Sequence, residues 1–288
     1  MSTQPSLTRL GFASNDWTNI MGVRIMTTLK TVPTLHASRD REIAILRIDR
    51  ASKRNALDDA TIVGIGEFFA TLPREVRAVV LHGAGDHFSS GLDLSELGQR
   101  DVVDGVHHSR MWHKALDEVQ FGTAPVVAVL HGGVIGGGFE LAAAAHIRVA
   151  EPSAFYALPE GGRGIFVGGG GSVRIPQLIG VARMADMMLT GRTYSADEGQ
   201  AIGISQYLTP DSEGLAKGIE LARAIAANAP MTNFALMHVL PRIAETTRDQ
   251  GLLMESLVAA IAQGSSEAKA RMEQFLRKGP GSKVRKKS

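Results

Sequence analysis

The chain has 288 residues, of which 44% are hydrophobic, and this allows a substantial buried core in one large domain or two small ones. It has no cysteine, which excludes disulfides and thiolate zinc sites, and no apolar run of about eighteen residues or more that would cross a membrane. The 31 basic and 29 acidic residues give a formal charge of +2, but six basic residues lie in positions 277–288, so the remainder carries −4. A mildly acidic body argues against a nucleic-acid-binding surface, and we expect a cytoplasmic protein without membrane contact.

The ends of the chain differ from its middle. Residues 1–30 lack clear periodicity and are interpreted as an N-terminal extension that need not be ordered, with Met26 as one candidate for an alternative start. The core is predicted over 31–210 and a helical C-terminal region over 211–276. Residues 277–288 form a basic tail, which we expect to be a solvated end.

The first elements follow from short apolar runs and turn residues. Strands are predicted at 34–38 and 43–48 around an Asp-Arg-Glu turn, and Asp58 is placed to cap a helix that continues to Ala70. A third strand is predicted at 77–82 and a long helix at 102–120. That helix has an apolar face that packs either in the core or against a ligand, formed by Met111, Trp112 and Leu116. It also has three histidines, which are expected to be solvated: His107, His108 and His113.

The stretch 124–171 organises the chain. A buried strand is predicted at 126–130, and three glycines, Gly136 to Gly138, then open a helix at about 139–145. A helix N-terminus presents free N–H groups that can stabilise an oxyanion. Glu140 in its first turn and Glu160 after Pro159 are candidate acids. A first-turn Glu commonly only complements the helix dipole, and a Glu in a loop is commonly only solvated.

The glycine-rich segment 161–171 has seven glycines but is not a P-loop, because the Gly-Lys-Ser/Thr ending is absent. It also lacks the strand, Gly-x-Gly-x-x-Gly motif and acidic partner of a dinucleotide site. We expect it to wrap backbone around the site. Short helices at 172–179, 182–189 and 195–202 are predicted to end at Gly180, Gly191 and Gly203. A last strand at 204–208 and helices at 215–227, 231–245, 249–263 and 267–276 follow, with a kink at Pro241.

Three motifs together resemble the crotonase superfamily, the enoyl-CoA hydratase/isomerase family. They are Ser-Gly-Leu-Asp-Leu at 90–94, Gly-Gly-Gly-Phe-Glu-Leu-Ala at 136–142, and Pro159-Glu160, and the resemblance covers about 34–275. It implies an α/β crotonase fold of repeated ββα units with a helical C-terminal trimerisation region. It also implies an acyl-CoA substrate, no cofactor beyond the coenzyme A of that substrate, no metal, and a homotrimer or hexamer.

The resemblance also assigns roles within this sequence. Glu140 and Glu160 would be the catalytic pair, and the backbone N–H groups of Leu92 and Gly137 the oxyanion hole. A solvated turn is the alternative for Lys53 and Arg54, and turn organisation is the alternative for Asp93. The residues implied in substrate or coenzyme A binding are Lys53, Arg54, Ala56, Ser90, Gly91, Asp93, Gly136 and Pro159.

Within the family, the leading activity is that of an enoyl-CoA hydratase, which is a lyase of fatty acid β-oxidation. Pure isomerases of the family generally need only the later acid, so the presence of both acids favours hydration. The loop after Glu160 departs from common hydratases, since Gly-Gly-Arg-Gly-Ile-Phe-Val stands there and Val167 occupies the approximate place of a proline. Isomerisation, aromatic hydratase-lyase cleavage and thioester hydrolysis therefore stay open. An RNA-binding crotonase homologue that uses its basic tail is a further alternative.

Overall fold

The computed structural model describes residues 27–96 and 101–278, so most of the N-terminal extension and the last ten residues of the basic tail lie outside it. Strands alternate with helices through most of this part, as in α/β proteins. The strands are β1 (Thr27–Leu29), β2 (Leu35–Asp40), β3 (Ile43–Ile48), β4 (Ala78–Gly83), β5 (Val126–Leu130), β6 (Gly133–Ile135), β7 (Ile147–Ala150), β8 (Phe155–Ala157), β9 (Tyr194–Ser195) and β10 (Tyr207–Leu208).

A seven-stranded sheet forms the framework, in the order β1-β2-β3-β4-β5-β7-β10. Its first three strands are antiparallel neighbours, and the pairs from β3 to β10 are parallel. Every residue of β4 and β5 is buried, as expected for parallel strands covered on both faces. A smaller sheet, β6-β8-β9, stands beside it.

The helices complete the layers. α1, α2 and α3 cover one face of the large sheet over the main hydrophobic core, and α7 covers the other face against a second cluster that includes Val80, Val127 and Val129. The helices are α1 (Asp59–Ala70), α2 (Val102–Phe121), α3 (Gly137–Ala144), α4 (Gly171–Ile179), α5 (Val181–Thr190), α6 (Ala196–Ile202), α7 (Gly214–Ala226), α8 (Pro230–Phe234), α9 (Leu240–Ala244), α10 (Arg248–Gly264) and α11 (Ser266–Lys278).

Local sequence signals set most helix ends. The Asp58 side chain accepts from Thr61 N and caps α1, as its position predicted. The predicted stops at Gly180, Gly191 and Gly203 all have positive φ, between 75° and 96°, a conformation that only glycine adopts without strain.

The predicted kink at Pro241 takes the form of a wider turn. Between α8 and α9, residues Ala235–Val239 form a π-helical segment in which Leu240 N donates to Ala235 O, five residues earlier. Proline lacks an N–H and its ring clashes with the carbonyl four residues back, so the wider turn accommodates it.

Two differences from the predicted elements exceed a shift of one or two residues at an element's end. The last strand is only β10, because Ile204 N donates to Gly199 O and closes α6 rather than joining the sheet. The segment Thr27–Leu29, assigned to the N-terminal extension, pairs with β2 at the sheet edge. The other domain limits stay predictions. Among the described helices, none has the length and apolar character needed to cross a bilayer.

One prediction tests the cap of α1. Asp58→Ala should lower the free energy of unfolding by about 1–2 kcal/mol, because it removes the cap to Thr61 N and the ion pair at 3.0 Å with Arg50. Asp58→Asn keeps a capping oxygen and should cost less. Urea unfolding of both variants measures the difference, and equal losses would show that the cap contributes nothing.

Candidate active site

The site forms where two loops are drawn together beyond the ends of β4 and β5. Ser89 N donates to Gly133 O and Ile135 N donates to Ser89 O, each at 3.0 Å, so the segment after β4 runs beside β6. This pairing places Leu92 next to the N-terminus of α3.

Two backbone N–H groups therefore lie side by side. A Cβ built on Gly137 would be 3.3 Å from Leu92 N. Within the described residues neither Leu92 N nor Gly137 N has a hydrogen-bond acceptor. Two unpaired N–H groups at a helix N-terminus can bind a carbonyl oxygen and stabilise negative charge on it.

Glycine is required on both sides of this corner. Gly91 has a φ of 86°, and a Cβ there would lie 2.5 Å from Ile135 O; Gly136 has a φ of 52°, and a Cβ there would lie 2.6 Å from Glu160 Oε1. A side chain at either position would be strained; at Gly91 it would also clash with backbone, and at Gly136 it would displace the Glu160 carboxylate. The glycines thus let the two loops approach closely enough to align the donors.

Glu140 is buried in the first turn of α3, and its carboxylate is held by the glycine-rich segment. Its Oε1 accepts hydrogen bonds from Gly169 N and Gly171 N, both at 2.8 Å. Burial raises the pKa of Glu140, and these N–H donors together with Arg174 oppose the rise without cancelling it. The prediction that this segment wraps backbone around the site is confirmed here.

Glu160 begins a 3-10 turn after Pro159 and is also buried. Its Oε2 has no hydrogen-bond partner within the described part of the chain. Burial raises the pKa of Glu160, and the nearby Glu140 carboxylate raises it further. The two acids are thus electrostatically coupled in one buried site.

Arg174, which the sequence does not mark as a site residue, holds the glycine-rich segment in place. Its Nη2 pairs with Asp117 Oδ1 at 2.6 Å, its Nε donates to Gln120 Oε1 at 2.6 Å, and its Nη1 donates to Gly169 O at 3.1 Å. The arginine joins α2 to the segment that holds Glu140. An arginine within an ordinary short helix carries no sequence signal for this role.

A cavity of about 230 Å³ opens beside the two acids. The pocket-facing positions of α2 are Gly105, His108, Ser109 and Trp112, and the opposite wall is the segment after Glu160. Phe166 lines the cavity although its side chain is 68% exposed. The side chains of Ile165, Phe166 and Val167 make much of this wall apolar beside the two acids.

The apolar residues of α2 are expected from the sequence either to pack in the core or to face a ligand, and the outcome differs from residue to residue. Trp112 is buried in the core and also lines the cavity, whereas Leu116 is wholly buried in the core and Met111 packs against it. The expectation of solvated histidines is wrong for His108, which is half-buried and lies 2.8 Å from Asp59 Oδ1. The sequence separation of 49 residues hides this pair.

The candidate coenzyme A residues fall into two groups. Ser90, Gly91 and Gly136 line the cavity with the oxyanion and acid candidates, whereas the other five do not. Those five are Lys53, Arg54, Ala56, Asp93 and Pro159. The turn that carries Lys53 and Arg54 is held by Arg50, which pairs with both Asp58 and Asp93 at 3.0 Å and which the sequence does not mark.

Asp93 organises its turn. It accepts from Ser95, and it pairs with Lys53 at 3.1 Å as well as with Arg50. The Ser95 hydrogen bond, with Lys53 and Arg50, holds the pKa of Asp93 well below its usual range. Lys53 is half exposed, so its ammonium also remains accessible at the rim. No cluster of potential metal ligands occurs in the described residues.

Comparisons with known proteins agree on one family. Residues 38–282 match the family model described as enoyl-CoA hydratase/isomerase. A short-chain-enoyl-CoA hydratase of Clostridium acetobutylicum is 28% identical, over 83% of this chain and 93% of that protein. A carnitinyl-CoA dehydratase of Salmonella enteritidis is 33% identical, over 76% of this chain and 84% of that protein.

Solved structures give the same result. A crystal structure from Rhodopseudomonas palustris, of a protein provisionally described as an enoyl-CoA hydratase, is 56% identical and superposes with a TM-score of 0.83, over 85% of this chain and 95% of the other. An enoyl-CoA hydratase from Bacillus anthracis is 27% identical with a TM-score of 0.80, over 85% and 96%. The crotonase fold predicted from the sequence is confirmed.

The buried carboxyl of Glu160 makes a prediction about stability and pH. Because its pKa is raised on folding, the folded protein loses stability as pH rises from the unfolded value near 4.3 through the folded value. Glu160→Gln carries no charge, so its melting temperature relative to the wild type should be higher at pH 8 than at pH 4. Calorimetry at both pH values measures this.

Glu213→Gln, at an exposed position before α7, provides the matched control and should show no such change. The assignment of a raised pKa to Glu160 is wrong if the relative melting temperature of Glu160→Gln is the same at both pH values.

Proposed function

The chain belongs to the enoyl-CoA hydratase/isomerase family, and within that family we propose that it hydrates the α,β double bond of an enoyl-CoA thioester. One observation carries the proposal: two acceptor-free N–H groups, of Leu92 and Gly137, adjoin two buried carboxyl groups with raised pKa. A thioester carbonyl, a water molecule and a proton donor are what such a site can hold together.

The oxyanion corner acts on the thioester oxygen. When water attacks the β carbon, electron density moves through the conjugated system to the carbonyl oxygen and gives an enolate. The N–H groups of Leu92 and Gly137 would donate to that oxygen, and removing one such donor in other enzymes costs about 10²–10³ in rate. Backbone donors tolerate any side chain, so Leu at position 92 is compatible with this role.

The two acids would divide the proton transfers. Gly169 N and Gly171 N hold Glu140 Oε1, which leaves the other oxygen of Glu140 to take a proton from the attacking water. Burial and the Glu140 charge favour the protonated form of Glu160, which then gives its proton to the α carbon. The hydroxyl adds to the β carbon, and a proton returned from Glu140 to Glu160 restores the site.

The rim would receive the coenzyme A portion of the substrate. Lys53 and Arg54 stand at the turn beside Ser90, whose N donates to Arg54 O at 2.9 Å. Their positive charges suit phosphates at this side of the cavity. The acyl group would then extend toward Trp112 and the segment after Glu160.

The acids provide the first functional prediction. Glu140→Gln and Glu160→Gln should each lower crotonyl-CoA hydration by about 10²-fold or more, because each removes a titratable carboxyl while keeping its shape. Loss of the enoyl-thioester absorbance measures hydration. Acyl-CoA binding should persist, since the backbone donors remain.

Three results would contradict this mechanism. Full hydration by Glu140→Gln with an inactive Glu160→Gln would indicate a single-acid, isomerase-like site. Shifted double bonds without a hydroxyacyl-CoA product would replace hydration by isomerisation. Unchanged turnover in both folded variants would mean that the site lies elsewhere.

We also propose a homotrimer or a dimer of trimers. In the single chain, α10 presents apolar side chains to solvent, among them Leu253 and Leu257, which are 61% and 58% exposed. A row of exposed leucines on one helix is costly unless another surface covers it. The family resemblance assigns that cover to a neighbouring subunit.

Light scattering tests the assembly. At micromolar concentration we expect a mass three or six times 30.7 kDa. Leu253→Asp with Leu257→Asp should lower the mass, because the charges oppose burial, whereas Val63→Asp on α1 should not. A monomer mass for the wild type would refute the proposal.

A further inference from the structure

We propose that His108, oriented by Asp59, is a specificity-determining residue that selects acyl groups carrying a hydroxyl beyond the reacting carbons. This proposal deepens the proposed hydratase function and rests on it. It assigns to His108 a direct hydrogen bond with the substrate and to Asp59 a positioning role.

The first observation is the place of His108 along α2. Gly105, His108 and Trp112 follow one another on the face of the helix that lines the cavity. The Trp112 ring lies against the acid site, because a Cβ on Gly137 would be 2.8 Å from it and one on Gly169 2.9 Å. His108 is one turn before Trp112, with ring centroids 6.2 Å apart, and unlike Trp112 it is not among the nearest neighbours of a Cβ built on Gly137 or Gly169. In the proposal it therefore lies beside the part of the acyl chain beyond the reacting carbons.

The second observation is the fixed orientation of the imidazole. His108 Nε2 lies 2.8 Å from Asp59 Oδ1 and 3.3 Å from Trp112 Nε1. The same nitrogen cannot donate to one group and accept from the other. The shorter contact, to a carboxylate, places the proton on Nε2, because a bare nitrogen there would face the Asp59 charge.

This tautomer leaves Nδ1 as the acceptor of a neutral imidazole. Nδ1 has no partner within the described part of the chain, and it is not among the fully buried polar atoms that lack one. It is therefore accessible, on a side chain that lines the cavity. The ligand group that fits a bare Nδ1 is a donor, which on an acyl chain is a hydroxyl.

The third observation is the contrast with the surrounding wall. Leu94, Ile165 and Phe166 line the cavity with apolar side chains, and the neighbouring Ser109 hydroxyl is already committed to Gly168 O at 2.6 Å. His108 thus offers a hydrogen-bond acceptor on a largely apolar wall. An acyl group with one hydroxyl satisfies it, whereas a plain alkyl chain leaves it unpaired, and an unpaired buried polar group is costly.

The test compares matched substrates. Rates of hydration are measured for trans-2-hexenoyl-CoA and for its 4-, 5- and 6-hydroxy derivatives, with kcat/KM for each. The wild type should prefer at least one hydroxylated substrate by about tenfold, the range of a good net hydrogen bond. His108→Phe keeps a ring but no acceptor, and it should bring that ratio close to one.

Two further variants separate positioning from structure. Asp59→Asn removes the carboxylate that keeps the proton on His108 Nε2, so it should reduce the preference for hydroxylated substrates. His107→Ala, at the exposed neighbouring position, should leave that preference unchanged. A wild type without preference for any hydroxylated substrate, or a preference that survives in His108→Phe, overturns the proposal.

Binding distinguishes this proposal from the hydratase proposal itself. Calorimetric titration with saturated hexanoyl-CoA and the matching hydroxyhexanoyl-CoA reports selection without turnover. If no enoyl-CoA is hydrated but hydroxyl-dependent binding is lost in His108→Phe, the hydratase proposal fails and the role of His108 stands. If hydration occurs and both saturated ligands bind equally, the role of His108 fails alone.

Discussion

The site depends on a close approach between two backbone segments, at which two N–H groups are left without acceptors. Leu92 N and Gly137 N are neighbours only because glycine occupies the flanking positions and because β6 draws the segment after β4 alongside it. Unpaired N–H groups lower the stability of a fold, so the surrounding structure must impose this corner. Fully buried β4 and β5 provide the rigid support.

The two carboxyl groups impose a second constraint, because burial disfavours ionisation whereas the proposed chemistry needs one of them ionised. Glu140 and Glu160 share a buried region in which the Glu140 charge raises the cost of ionising Glu160, yet a hydratase needs one to accept and one to give a proton. Their hydrogen bonding is unequal: backbone N–H groups stabilise Glu140, whereas one oxygen of Glu160 has no partner among the described residues. The asymmetry stabilises the ionised form of Glu140 more than that of Glu160, although the two side chains are chemically identical.

The sequence predicts the features that depend on neighbouring residues, and it fails for contacts between residues far apart in the chain. Local signals located β3 and β5 at their observed limits and placed the cap of α1 at Asp58. The motifs located both acids, since these lie beside glycines and a proline. The contacts of Arg174 with Gln120 and of His108 with Asp59 join residues about fifty positions apart, and no local pattern encodes them. The π-helical form of the kink at Pro241 likewise depends on how the chain relaxes in three dimensions.

The bridges from α2 to the glycine-rich segment have a consequence for how such a site can diversify. Ser109 and Asp117, the latter through Arg174, attach the wall that faces the acyl group to the backbone that holds Glu140. A substitution that reshapes this wall for a new substrate should therefore also displace Glu140. Adaptation to a different acyl chain should therefore need paired changes, one on α2 and one in the glycine-rich segment. A single change should widen the range of substrates but lower the rate.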